Sequence, residues 1–269
     1  MFQSCSGVDP DANAATLVEM VRQAAEGGAA MLFTPEMSGL VDGDRDRSTG
    51  TLRSEGEDAV LDTVRAAAKA NGIWVHLGSL ALSVYGGKRV NRAFVIDSAG
   101  AIVGRYDKMH LFDVDLPTGE SWRESAVYRA GSGPVVVRGT PVGSIGLTIC
   151  YDVRFPAMFE RLSEAGAEVI AVPAAFTVPT GEAHWHVLLR ARAIEAGLFV
   201  VAAAQSGRHE DGRATYGHSL VVDPWGTVLI DGGEGEKLLF TEIDLDRIAQ
   251  VQSRIPVLSH RRPIGPVSD

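Results

Sequence analysis

Cysteine is scarce in this chain, with only Cys5 and Cys150 among 269 residues. A chain of this length buries a core large enough to stand without a disulfide, so each thiol is read singly. Basic residues are also in short supply, 25 against 34 acidic ones, which leaves a net charge of −9. Without a cationic footprint, nucleic acid and anionic membrane surfaces drop out as expected partners. No run approaches the roughly 18 apolar residues of a membrane helix. The N-terminal "MFQSCSGVDPDANA" has neither the positive region nor the apolar core of a signal peptide. The expected setting is therefore cytoplasmic. G-x-S-x-G, P-loop and G-x-G-x-x-G patterns are missing too, which argues against serine hydrolase, kinase and dinucleotide chemistry.

What is present is punctuated α/β patterning. Ala14, Leu17, Val18, Val21, Ala24 and Ala25 follow helical spacing up to Gly27 and Gly28, and "AAMLF" then reads as a short buried strand. Val60, Leu61, Val64, Ala67 and Ala68 repeat the pattern, closed by "NG" and followed by the strand "IWVHLGSL". "RAFVIDSAGAIVGRY" carries an Asp-x-x-Gly turn between two strand-like runs, the signal of a hairpin.

The second half replays this order. "EAGAEVIAVPAAF" resembles "EGGAAMLFTPEM", "AGLFVVAAA" resembles "NGIWVHLGS", and "SLVVDPWGTVLI" resembles "AFVIDSAGAIVG". The offsets agree roughly: 138 positions from Pro35 to Pro173, 125 from Gly72 to Gly197, 126 from Gly100 to Gly226. Two such halves without a linker predict one domain over residues 1–269, an α/β four-layer αββα sandwich with an internal pseudo-twofold repeat. The continuous apolar strands fit sheets covered on both faces.

On that scaffold three reactive side chains fall at strand ends. Glu36 follows "MLF", Lys108 follows the hairpin, and Cys150 follows "SIGLTI" just before a turn and a helix opened by Pro156. A lone cysteine is often just a small buried hydrophobe, and Glu36 and Lys108 taken singly fit a cap and a solvated surface. No histidine adjoins Cys150 in sequence, so a base for its proton has to come from another strand end.

The segments "FTPEMSG", "YDKMHLFDVD" and "GLTICYDVRFP", in this order, resemble the three signatures of the nitrilase (carbon-nitrogen hydrolase) superfamily. "HLFDVDLPTGESWRES", "PAAFTVPTGEAHWHVLLRARAIEAG" and "GHSLVVDPWG" are similar to its Nit-type amidase branch. The resemblance covers nearly the whole chain and implies the same αββα fold. By this resemblance Glu36 is the general base, Lys108 the cation beside the reacting carbonyl, Cys150 the nucleophile and Glu124 a second glutamate positioning the lysine. The backbone N–H of Tyr151 joins Lys108 as an oxyanion donor, and Tyr151, Arg154, Phe176, Thr177 and His184 are the implied substrate-binding residues. A thioester on Cys150 is the implied intermediate, and neither metal nor organic cofactor is required. Two positions depart from the family pattern: the chain begins late, at its "FQ", and Ala157 follows Pro156 where glutamate is common.

The implied substrate is a small carboxylate-bearing amide. The Nit-type branch acts on α-keto acid amides, deaminated glutathione and α-ketoglutaramate among them. Carbamoyl compounds, nitriles and a catalytically silent scaffold are the competing readings. Arg154 is a candidate for the substrate carboxylate, the alternative being an ion pair to Asp152 or a glutamate that pins the loop. His110 is open between lining the site and bonding locally. His184 and His186 sit about 200° apart on a helix, so this pair does not converge on one metal. Helical spacing there rests on Val187, Ala191 and Ile194. Because Trp185, Leu188 and Leu189 share that helix with Arg190, Arg192 and Glu195, a homodimer or higher homo-oligomer burying this face is expected.

Overall fold

A computed structural model describes residues 1–116 and 119–267; Pro117 and Thr118, inside the "HLFDVDLPTGESWRES" stretch, lie outside the described residues. The first half runs β1 (Phe2–Gln3), α1 (Pro10–Glu26), β2 (Met31–Phe33), α2 (Arg45–Thr51), α3 (Ala59–Asn71), β3 (Trp74–Ser83), β4 (Arg89–Ile96), β5 (Ile102–Asp107), β6 (Asp113–Asp115) and β7 (Ser121–Arg123). The chain continues through β8 (Val135–Thr140), β9 (Gly143–Leu147), α4 (Pro156–Glu164), β10 (Val169–Ala171), α5 (Val178–Ala196) and β11 (Phe199–Ala202). It closes with β12 (Ser206–Arg208), β13 (Ala214–Tyr216), β14 (Leu220–Val222), β15 (Val228–Asp231), β16 (Lys237–Leu238) and α6 (Asp246–Arg254).

The repeat read from the sequence is a repeat of topology. One sheet has the order β2-β3-β4-β5 and the other β15-β14-β11-β10-β9-β8. In each, a parallel pair (β2 with β3, β10 with β11) leads into two antiparallel neighbours. α3 and α5 both end on a glycine in the left-handed region, Gly72 at φ 62° and Gly197 at φ 63°, where a Cβ is disfavoured. The two Asp-x-x-Gly turns match bond for bond. Asp97 Oδ1 accepts from the N–H groups of Ala99 and Ala101 at 2.9 and 2.8 Å, and Asp223 Oδ1 from those of Trp225 and Thr227 at the same distances. The halves differ at their edges, because β8 and β9 extend the second sheet whereas β1 pairs antiparallel with β16.

Side-chain alternation sorts the strands into layers. Leu32, Val75, Leu77, Phe94 and Ile96 pack with α1 and α3, while their neighbours Met31, Phe33, Ala93 and Val95 belong to the core shared with the second sheet. Beyond that sheet, Phe159 and Leu162 of α4 and Trp185, Leu189 and Ala193 of α5 complete the αββα order. One expectation needs correction here. Trp185 and Leu189 are fully buried in their own chain, so they leave no surface for a partner to cover. The spacing residues Val187 and Ile194 instead face outward, at 69% and 48% exposure.

His76, on β3, is buried between the sheets with neither ring nitrogen hydrogen-bonded, its ring centroid 5.5 Å from that of Phe33. Burial lowers its pKa from 6.5 to about 3. A folded-state pKa below the unfolded value means that stability is fully present above about pH 6.5 and is lost as pH falls from there toward 3. The slope for one such group reaches about 1.4 kcal/mol per pH unit. His76→Leu should therefore flatten the acid limb of thermal unfolding between pH 7 and pH 4. Parallel limbs in wild type and variant would contradict this.

Candidate active site

The strand ends deliver their side chains to one place. Glu36 stands on the turn after β2, Lys108 is the first residue after β5, Cys150 lies three residues past β9, and Glu124 opens a 3₁₀ turn over Glu124–Ala126. Cys150 has φ 49°, a left-handed conformation that costs a non-glycine residue about 1 kcal/mol or more. Two bonds hold the bend: the Cys150 N–H donates to Pro173 O at 2.9 Å, and the Ile149 N–H to Asp152 Oδ2 at 2.8 Å. Behind Glu36 the sheets approach closely, since a Cβ on Gly78 would lie 2.0 Å from Thr34 O and 2.6 Å from Pro173 Cβ.

Lys108 Nζ donates to Glu36 Oε1 at 3.0 Å and to Glu124 Oε2 and Oε1 at 2.9 and 3.1 Å. Glu36 Oε1 also accepts from Asn91 Nδ2 at 2.8 Å, while Oε2 accepts from the Ala175 N–H at 2.9 Å. Ala175 follows the apolar counterpart of Glu36 in the second half, so one half supplies the carboxylate and the other a backbone donor that orients it. Oε1 thus accepts from two donors and Oε2 from one, and the Cys150 thiol also bonds to this carboxylate. Glu124 is fixed in turn by the Phe112 N–H at 2.6 Å.

Burial sets the electrostatics. Glu36 and Lys108 are 4% and 3% exposed. Burial by itself would lower the Lys108 pKa, but the charges of Glu124 and Glu36 outweigh it and hold the ammonium well above its ordinary value. Burial, reinforced by the Glu36 charge, pushes the Cys150 thiol well above its ordinary pKa, and Lys108 only partly offsets this. The resting pair is thus a neutral thiol beside a carboxylate that interacts with it directly, so a thiolate at Cys150 needs a base to form.

A cavity of about 370 Å³ opens onto this cluster. Glu36, Lys108, Glu124 and Cys150 all line it, and so do Tyr151, Arg154, Phe176 and Thr177. His184 is not on its wall but reaches it through Arg154, whose Nη1 lies 3.3 Å from His184 Nδ1. The Arg154 guanidinium sits over the rings of Phe176 and Tyr151, 5.4 and 5.8 Å from their centroids. Asp152 does not pair with it, being bonded to Tyr106 Oη at 2.7 Å, the Ile149 N–H at 2.8 Å, and His110 through Nδ1 at 2.7 Å and N–H at 3.1 Å. His110 therefore bonds locally, stacked on Phe155 at 3.6 Å. Cys5 lies elsewhere, its sulfur 3.8 Å from His209 Nδ1.

Two contributors escaped the sequence reading. Asn91, in the strand "RVNRAFVI", is buried and grips the Glu36 carboxylate. Asp152 ties the cysteine loop to Tyr106 and His110. The available signal was a polar residue interrupting an apolar strand for the first, and an acid two residues past the thiol for the second.

The carbon-nitrogen hydrolase family pattern matches residues 2–253. A Bos taurus protein named deaminated glutathione amidase is 40% identical over 265 residues, which cover 97% of this chain and 80% of that one. The crystal structure of the C. elegans NitFhit protein superposes with a TM-score of 0.89 at 38% identity, over 97% of this chain and 64% of the NitFhit chain. A mutant of an amidase from Nesterenkonia sp. AN1, with the acetamide moiety of fluoroacetamide added covalently at its active-site cysteine, superposes with a TM-score of 0.81 at 27% identity over 97% of this chain and 92% of that one.

Proposed function

The chain belongs to the carbon-nitrogen hydrolase family, and from that premise we propose that it is a Cys150-dependent amidase for α-keto acid amides, with deaminated glutathione its best substrate. The observation that carries the catalytic part is the convergence of Cys150, Glu36, Lys108 and Glu124 on the lining of one cavity. Glu36 Oε2 takes the Cys150 proton as the sulfur attacks the amide carbon. Lys108 and the Tyr151 N–H stabilise the oxyanion, a contribution of about 3 kcal/mol for one well-placed donor. Glu36 returns the proton to the leaving amine, and the acyl group remains as a thioester. Water activated by Glu36 then releases the acid. Glu124 keeps Lys108 aimed at the reacting oxygen.

Two things support the substrate class. Relatives named deaminated glutathione amidase share about two fifths of the sequence, and Arg154 stands on the cavity wall with its guanidinium against two aromatic rings, a setting suited to a carboxylate. Comparing kcat/KM by release of the acid product, we expect deaminated glutathione to lead, α-ketoglutaramate to follow, and an aliphatic nitrile to be inert. A preference for the nitrile or for N-carbamoyl amino acids would overturn the substrate assignment and leave the Cys150 chemistry intact.

The same reading includes a homodimer and a cytoplasmic setting. Val187, Ile194 and Trp225, at 69, 48 and 47% exposure, leave apolar surface on and beside the outer face of α5 that pairing would cover. Light scattering at micromolar concentration should give twice the chain mass; a monomeric mass counts against pairing. Both cysteines are free, in keeping with a reducing compartment, and no helix among the described residues is long and apolar enough to cross a membrane.

A further inference from the structure

Three side chains with no part in the catalytic cluster meet where α5 crosses the β14–β15 hairpin. His186 comes from α5, His218 from the turn before β14, and Asp231 ends β15. His186 Nε2 lies 3.0 Å from Asp231 Oδ2, and His218 Nδ1 2.9 Å from Asp231 Oδ1. The two imidazoles meet edge to face with centroids 5.1 Å apart, and the three ligand-capable atoms all lie within 4.8 Å of one another. The nearby His184 takes no part, since it points to Arg154.

We propose that His186, His218 and Asp231 form a binding site for a divalent transition-metal ion of the zinc class, which clips α5 to the β14–β15 hairpin. Two imidazoles and one carboxylate suit Zn²⁺, Co²⁺ or Ni²⁺ rather than the oxygen-seeking Mg²⁺ or Ca²⁺. An ionised carboxylate can only accept hydrogen bonds, so both ring nitrogens facing it carry protons. From neutral imidazoles, an incoming dication takes the lone pairs at those nitrogens as each proton moves to the other nitrogen of its ring. Tetrahedral ligands at about 2.0–2.1 Å stand about 3.3 Å apart. The two short nitrogen–oxygen contacts end on different oxygens of Asp231, so a single ligating oxygen keeps one edge within a few tenths of an ångström of that geometry. The other two edges close by at most about 1.5 Å each, through rotation of the partly exposed His186 side chain and of the Asp231 carboxylate. Water completes the coordination.

Two of the three ligands are fixed beforehand. His218 has φ 54°; its N–H donates to Gly233 O at 2.7 Å, its carbonyl accepts from Trp185 Nε1 at 2.8 Å, and its ring stacks on Tyr216 at 4.4 Å. Asp231 Oδ1 also accepts from the Gly233 N–H at 2.8 Å. Little ordering entropy is left to lose on binding. The clip would also stand behind the catalytic cavity, since Trp185, next to His186, packs on the cavity-lining Phe176 at 4.7 Å.

The test uses tag-free full-length protein stripped with a chelator, titrated with ZnCl₂ by calorimetry and with CoCl₂ by visible absorption. Wild type should bind one ion per chain at micromolar affinity, show the intense visible band of low-coordinate Co²⁺, and gain several degrees in Tm at saturation. His186→Ala and Asp231→Asn should each weaken binding at least tenfold and remove the Tm gain, with metal-free amidase activity unchanged. No binding by wild type at about 100 μM ion would overturn the proposal. So would affinity unchanged in both variants, which would place the ion elsewhere, on Cys5 or Cys150 for instance.

Discussion

Cys150→Ala is expected to lower amide hydrolysis by at least about 10⁴-fold while leaving the unfolding temperature close to that of wild type. In the proposed mechanism the covalent route runs through this thiol, so its loss is not shared out among other groups. Its packing role is small by comparison. The bend at φ 49° is held by the Pro173 carbonyl and the Asp152 carboxylate, neither of which contacts the sulfur through these bonds. Deleting one sulfur atom at a cavity wall changes stability by about 1 kcal/mol. The check is acid-product release beside a thermal melt. Retained turnover, or a collapsed fold, would contradict the account.

Glu36→Gln is expected to move two readouts in opposite directions. Amide hydrolysis should fall by about 10³-fold or more, because the amide keeps the carboxylate's shape but cannot take the Cys150 proton. Alkylation of Cys150 by iodoacetamide should nevertheless become faster. Burial and the Glu36 charge are what hold the thiol above its ordinary pKa, and Lys108 acts against them. Removing the carboxylate charge lets the ammonium draw the pKa down, and each unit gives about ten times more thiolate at neutral pH. A variant that loses both reactivities would mean that Glu36 serves the fold rather than the proton. The alkylated peptide has to be the one containing Cys150, since Cys5 is the second free thiol.

Features set by local chemistry are legible in the sequence itself. The glycines ending α3 and α5 and the paired Asp-x-x-Gly turns are decided within four or five residues, and they carried the internal repeat and with it the layered fold. The placement of Glu36, Lys108 and Cys150 at strand ends was equally local. Their meeting was not, because it depends on how two sheets stack, and resemblance to a family supplied it. Asn91 was missed for the same reason: within its own strand it looks like an outward polar position, and only the turn carrying Glu36 makes it an inward one. α5 misled because it is apolar on two sides. Val187, Ala191 and Ile194 trace one stripe and Trp185, Leu189 and Ala193 another, and periodicity alone does not say which faces the core. His186, His218 and Asp231, spread over 45 positions, had no sequence signal as a group.

The central claim is that the acyl group of the substrate passes through the sulfur of Cys150. The most direct measurement is mass spectrometry of protein acid-quenched during turnover of deaminated glutathione, with peptide mapping. The account predicts an added acyl mass on the peptide containing Cys150, absent from Cys150→Ala and cleared as substrate is exhausted. An acyl mass on Cys5 or another residue, with turnover persisting in Cys150→Ala, would contradict it.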